Sequence, residues 1–215
     1  MSIPREIVYK CPYCGKEFEV SIYDSVNTRI DVDEVDKCKS GDIFKKLCPH
    51  CHTDFMLMNP FVYTDPDNKF VLYLSDDEIP ESIHEIAEPL DKAGYKLRRC
   101  RTITEFTEKI QIFEDGIDDI LVELAKYDSF IEFIDNRKGN AEDVSSIEYQ
   151  HTKDDVMKIN IRCDDKGLSF LIPMAGLEEV VSTQKDFFYV DNKTFPLINS
   201  DWIINLYQNV EGLPA

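Results

Sequence analysis

Four of the seven cysteines in this 215-residue chain stand in two short runs, Cys11-Pro12-Tyr13-Cys14-Gly15 and Cys48-Pro49-His50-Cys51-His52. Two thiols separated by two residues can bind one metal ion together, and two such pairs supply the four thiolates of a closed tetrahedral site. A site of this kind leaves no position for a substrate or an activating water, so its chemistry is structural. Zinc is the expected ion, one per chain, held by Cys11, Cys14, Cys48 and Cys51, although four thiolates also hold a single iron. Thiol redox chemistry is the competing reading. It needs a cysteine at a helix N-terminus in a βαβ setting, where its pKa falls. Here a glycine follows the first motif and a strand pattern follows each, so one shared metal explains the tandem pair better.

Other candidates for chemistry are carboxylates. Asp76-Asp77, Asp118-Asp119, Asp154-Asp155 and Asp164-Asp165 are doublets, and paired acids can move protons or bind a hard cation. Neighbours on a helix do not face each other, and a chain rich in acids contains such doublets on its surface. Asp118, Asp119 and Glu123, at the start of an expected helix, form the cluster best suited to a site remote from the metal. Four basic residues, Lys96, Arg98, Arg99 and Arg101, lie close together and offer a local patch for nucleic acid. No Ser-His-Asp order, phosphate-binding glycine loop or His-Glu-x-x-His run is present. His84 and His151 are isolated.

The elements that would position these groups follow from pattern. Residues 6–10 form a strand entering the first knuckle, and Gly15 supplies the sharp turn behind Cys14. Glu17 to Tyr23 alternates polar and apolar side chains and reads as the returning strand of a zinc ribbon. An insert from Ser25 to Leu47, with a Ser40-Gly41 turn and a helical turn at Ile43-Phe44, separates the knuckles. His52 stands where the second glycine is usual, and histidine tolerates the left-handed torsion such a turn requires. A strand over Asp54 to Met58 follows. Phe61–Asp65 and Lys69–Leu74 then pair across Pro66-Asp67-Asn68.

Further on, Pro80 and Ser82-Ile83-His84-Glu85 start a short helix that Pro89 ends or kinks. Tyr95 to Arg101 is a strand with its basic side chains on one exposed face. Thr102-Ile103-Thr104-Glu105 caps a helix carrying Ile103, Phe106, Ile110 and Phe113. Gly116 separates it from a second helix with Ile117, Ile120, Leu121 and Leu124, and the two are expected to pack as a pair. Beyond Gly139 a three-stranded meander runs through Ser146–Tyr149, Met157–Arg162 and Leu168–Ile172, with its tight turn at Asp164 to Gly167. Leu177 to Thr183 suits helix or strand, Phe187–Val190 is a strand, and Ser200 caps a final helix with Trp202, Ile203, Leu206 and Tyr207 on one face.

The two knuckles, the strand Phe61-Val62-Tyr63-Thr64-Asp65, and the segment from Thr104-Glu105-Phe106-Thr107-Glu108-Lys109-Ile110 to Gly116-Ile117-Asp118-Asp119 together resemble the CpXC-domain proteins of bacteria and archaea. That resemblance implies a zinc-ribbon start and a domain over about the first 130 residues. It implies no activity, because the family's function is uncharacterised. His52 and the 33 residues between Cys14 and Cys48 depart from a simple ribbon without touching the four ligands.

The expected fold is therefore α+β: an N-terminal zinc ribbon with an extended β-hairpin, a helical pair, and a β-rich C-terminal part closed by a helix. The expected domains are 1–135, CpXC-like, and 136–215, with residues 136–143 as linker or loop. Acidic residues outnumber basic ones 42 to 24, a net charge of −18, and four thiolates around a divalent ion lower this to about −20. Such a chain repels phosphate backbones and attracts basic partners. The start of the chain has no signal-like apolar run and no stretch is long enough to span a membrane, so a cytoplasmic protein is expected. Cys38, Cys100 and Cys163 read as ordinary buried thiols. The leading functional expectation is a non-enzymatic module that binds another, basic protein. An enzyme or subunit using Asp118, Asp119 or Glu123 is the alternative, and a nucleic-acid-associated ribbon the third.

Overall fold

The computed structural model describes residues 2–136, 139–152, 155–163 and 166–211. Packing divides the chain into two compact units, Met1–Ile110 with Asp191–Pro196, and Gln111–Val190 with Leu197–Ala215. The division falls earlier than the stretch 136–143 suggested by sequence, and it returns a short C-terminal segment to the first unit.

The first unit opens with two antiparallel hairpins. One pairs β1 (Arg5–Lys10) with β2 (Glu17–Ile22), and the other pairs β4 (Lys45–Leu47) with β5 (Asp54–Met56). Each carries one knuckle at its tip. Tyr9 stacks on Phe55 at 5.5 Å and Phe18 meets the same ring edge-on at 6.2 Å. These rings join Val20, Ile22 and Leu57 in a small core that also contains Cys11 and Cys48.

The insert between the knuckles is more structured than its sequence suggests. It contains β3 (Ser25–Asn27), helix α1 (Val32–Ser40) and the expected helical turn at Asp42–Phe44. Helix α1 has no broad apolar stripe, and Cys38 is its buried residue. Its ends explain it instead. Asp33 and Glu34 lie in the first turn, Lys37 and Lys39 in the last, and Gly41 at φ 77 closes it with its N–H on the Cys38 carbonyl. Charges so placed complement the helix dipole, and a left-handed glycine is a preferred stop.

A four-stranded sheet in the order β3-β6-β7-β8 completes the unit. Strands β6 (Phe61–Asp65) and β7 (Phe70–Leu74) form the expected hairpin, while β3 joins β6, and β8 (Lys96–Cys100) joins β7, in parallel. Strand β7, Phe-Val-Leu-Tyr-Leu, is buried at every position, as a strand flanked on both edges and covered on both faces must be. Helix α2 (Glu81–Lys92) starts after Pro80 and continues through Pro89 to Lys92. Pro89 thus neither ends it nor prevents its last turn, because the Pro89 carbonyl still accepts the Ala93 N–H at 3.1 Å. Ser82 lies inside the helix and does not cap it.

Helix α3 (Ile103–Glu114) does begin as its sequence indicates: the Thr102 hydroxyl accepts the Glu105 N–H at 3.1 Å, and the Glu105 carboxylate accepts the Arg101 N–H at 2.7 Å. Its Phe106 is fully buried and sits edge-on to Phe44, Phe61 and Tyr63 at 5.7, 5.7 and 5.8 Å.

The second unit is built on an antiparallel meander with β10 (Val156–Cys163) between β9 (Val144–His151) and β11 (Lys166–Pro173). Met157, Ile159 and Ile161 alternate into its core. Asp164 and Asp165 of the anticipated turn, and Asp154, lie outside the described residues. Helix α4 (Asp119–Asp135) packs on β9 and β10 and against α5 (Met174–Thr183) and α6 (Ser200–Glu211). The ambiguous segment at Leu177 is thus helical. Residues 187–190 form turn and coil rather than the expected strand, and Phe187 packs edge-on against Tyr207 at 5.3 Å. Asn199, not Ser200, caps α6 by accepting the Trp202 N–H at 3.0 Å. Among the described residues, no helix is long and apolar enough to cross a membrane.

Because Phe106 is the ring on which three other buried aromatics converge, truncation there leaves a cavity that their rigid rings cannot fill. Phe106→Ala is expected to destabilise the chain by about 3–5 kcal/mol, read as a lower urea midpoint at unchanged slope.

Candidate metal centre

The two knuckles fold alike because the same backbone bonds close each loop. Gly15 N–H donates to the Cys11 carbonyl at 2.9 Å and His52 N–H to the Cys48 carbonyl at 2.9 Å, while Cys11 N–H and Cys48 N–H donate to the Lys16 and Thr53 carbonyls. Both loops need a left-handed residue after the second cysteine. Gly15 adopts φ 72 and His52 φ 57, so histidine serves in the glycine's place as its tolerance of that region allows. The His50 ring contacts the Glu17 carbonyl at 3.3 Å and lies edge-on to Phe18.

These loops bring Cys11, Cys14, Cys48 and Cys51 together with all four Sγ atoms within 4.8 Å of one another. Two pairs cross between knuckles, Cys11 to Cys51 and Cys14 to Cys48, each at 3.7 Å. Four sulfurs around a tetrahedral ion with metal–sulfur bonds of about 2.3 Å stand about 3.8 Å apart. The cluster therefore has the dimensions of a four-sulfur metal site. Its burial is asymmetric: the first cysteine of each knuckle, Cys11 and Cys48, ends a strand and enters the core, whereas Cys14 is exposed and Cys51 half-buried.

Proton affinities differ around the cluster. Hydrogen bonds from the Thr53 hydroxyl and then the Thr53 amide lower the Cys51 thiol to about 6. At Cys14 the Lys16 amide favours the thiolate, but desolvation and hydrogen bonding with Cys11, Cys48 and Cys51 outweigh it and raise the thiol to about 11. Thiols crowded in this way hold protons between them, and a divalent cation displaces those protons when it binds. Thr53 was not evident as a participant from sequence. Its signal is a hydroxyl residue directly following the second knuckle. The remaining cysteines differ: burial pushes Cys38 up to about 12, Cys100 is also buried, and Cys163 is only partly so.

The other sequence candidates are not brought to the metal centre's chemistry. Asp118 caps α4 by accepting the Ile120 N–H at 2.9 Å. Asp119 and Glu123 are buried rather than on the surface, at 0% and 1% exposure. Glu123 lies 3.3 Å from Lys126 and 3.5 Å from the Ser200 hydroxyl. They are interior because α4 is enclosed by strands and helices of its unit, which the acidic start of the helix does not reveal. Two of the four clustered basic residues are committed within the fold. Arg98 is buried and donates to the Leu97 carbonyl, and Arg99 donates to the backbone carbonyls of Ser75, Asp76 and Asp77. In a strand, Arg98 and Arg99 necessarily point to opposite faces.

Two outcomes test this geometry. Cys48→Ser removes a buried ligand and is expected to lose stoichiometric metal binding in a chelator competition, with the ribbon core losing its fold. Thr53→Val removes a hydroxyl that favours the Cys51 thiolate, so protons compete better for the sulfur and the midpoint of acid-driven metal loss should move to higher pH.

Residues 9–126 match the family described as CpXC protein. No curated protein and no solved structure matches the chain. The matched stretch begins two residues before Cys11, contains both knuckles and α3, ends within α4, and covers more than half of the sequence. The chain belongs to the CpXC family.

Proposed function

We propose that the chain is a zinc-stapled, non-enzymatic binding module that works in the cytoplasm and engages a basic partner protein. The observation that carries this reading is the closed sulfur cluster. Four protein thiolates complete a tetrahedral shell, so the ion holds the scaffold and offers no coordination position to a substrate. Ligand type favours zinc among the ions that such a site accepts. All seven cysteines are free of disulfides, which accords with a reducing compartment.

The partner's character follows from charge. A net charge of −18 draws cationic surfaces at long range and disfavours phosphate backbones. The commitments of Arg98 and Arg99 inside the fold also weaken the case for nucleic acid. Association dominated by such a field falls as salt shortens the screening length.

Metal analysis of chain purified without added metal, combined with binding of a decalysine peptide to intact and EDTA-stripped protein, tests the reading. One zinc per chain is expected, with saturable binding that weakens about tenfold between low and physiological salt. Stripped chain, carrying similar charge without the scaffold, should bind more weakly. Equal binding by both forms, or none at low salt, contradicts the module.

A further inference from the structure

Strand β8 has β7 on one edge, and the segment Asp191–Pro196 lies along the other. Asn192 uses every hydrogen-bonding position of its amide there. Its oxygen accepts from the Leu97 N–H at 2.9 Å and from the Arg98 guanidinium at 3.3 Å, and its nitrogen donates to the Asp91 carboxylate at 2.7 Å and the Tyr95 carbonyl at 2.9 Å. Three residues on, Phe195 is 1% exposed and fills a pocket of Val71, Tyr73, Ala87 and Leu97. The Pro196 carbonyl then accepts the Arg99 N–H at 3.2 Å.

Peptides are recognised in a related way, by bonds at a strand edge and pockets for particular side chains; here one backbone bond, from the Arg99 N–H to the Pro196 carbonyl, and the Asn192 amide hold a turn beside the strand. The segment is also shaped for it: the Asp191 side chain accepts the Lys193 N–H at 3.1 Å and the Thr194 hydroxyl donates to the Asp191 carbonyl at 2.8 Å. Phe195 takes φ 50, a torsion that a bulky residue adopts only when its surroundings hold it there. The groove walls, from Val71 to Arg99, lie within the family-matched residues, and the segment that fills them lies outside.

We propose that the groove between α2 and β8 is a recognition site for an Asn-x-x-Phe-Pro turn, occupied in the resting chain by residues 192–196 and released to take the same turn from a partner protein. The proposal rests on the binding-module reading and names where on the module a partner docks. The resident segment acts as a tethered competitor, with a high effective concentration that an incoming turn must overcome.

The test uses the full chain with Asn192→Gly and Phe195→Gly, which empties both pockets and keeps the connection, and a fluorescent peptide of sequence Asp-Asn-Lys-Thr-Phe-Pro. Saturable binding to the variant is expected, at least about tenfold weaker for wild type and for peptides with alanine in place of Asn or Phe. A folded, metal-loaded variant that binds no peptide at about 1 mM overturns the proposal, as does equal binding of the alanine peptides. If the variant unfolds, hydrogen exchange of wild type decides. Leu97 and Arg99 amides exchanging well before those of β7 support a releasable segment, and exchange only with global unfolding overturns it. Where the peptide does not bind, decalysine binding unchanged in the variant leaves the module reading standing while the groove fails.

Discussion

Four cysteine sulfurs gathered within 4.8 Å of one another are the constraint on which the N-terminal architecture depends. The β1–β2 hairpin and the three-residue β4–β5 hairpin are two-stranded sheets, and such hairpins are marginal alone. Their shared core consists of a few aliphatic side chains, the rings of Tyr9, Phe18 and Phe55, and the cysteines themselves. A core that small needs a cross-link to stand. Since Cys11 and Cys48 are at once candidate ligands and core residues, a metal bound there would couple to the folding of this region.

The convergence of the two knuckles also explains how the insert is tolerated. Once the knuckle tips are joined, the chain between them can leave the ribbon, place β3 beside β6, form α1, and return through β4. The ligand spacing alone says nothing of this detour. It fixes the loop's ends and leaves its interior free.

What was legible in the sequence had a local cause. The knuckles, the β6–β7 hairpin, the meander and the start of α3 are each set by residues a few positions apart, whose torsional and hydrogen-bonding preferences act without help from the rest of the fold. What was missed depends on distant partners. Helix α1 lacks an apolar stripe and is set by its charged ends and Gly41. Pro89 is accommodated in the last turn of α2. Phe187 and Phe188 look like a strand by composition, yet they pack as rings in a turn. Asn192 could not be singled out, because its four partners lie about a hundred residues earlier. The same holds for charge: Asp119, Glu123 and Arg98 belong to a type usually exposed, and only the assembled core shows that they are interior.

Sulfur-by-sulfur description of the bound ion tests the central claim most directly. X-ray absorption of the metal-loaded chain is predicted to show a single shell of four sulfurs at about 2.3 Å around zinc. A mixed shell with imidazole nitrogen from His50 or His52, or a shell with an open position filled by oxygen, would contradict the closed structural site and with it the account of the ribbon as a metal-stapled scaffold.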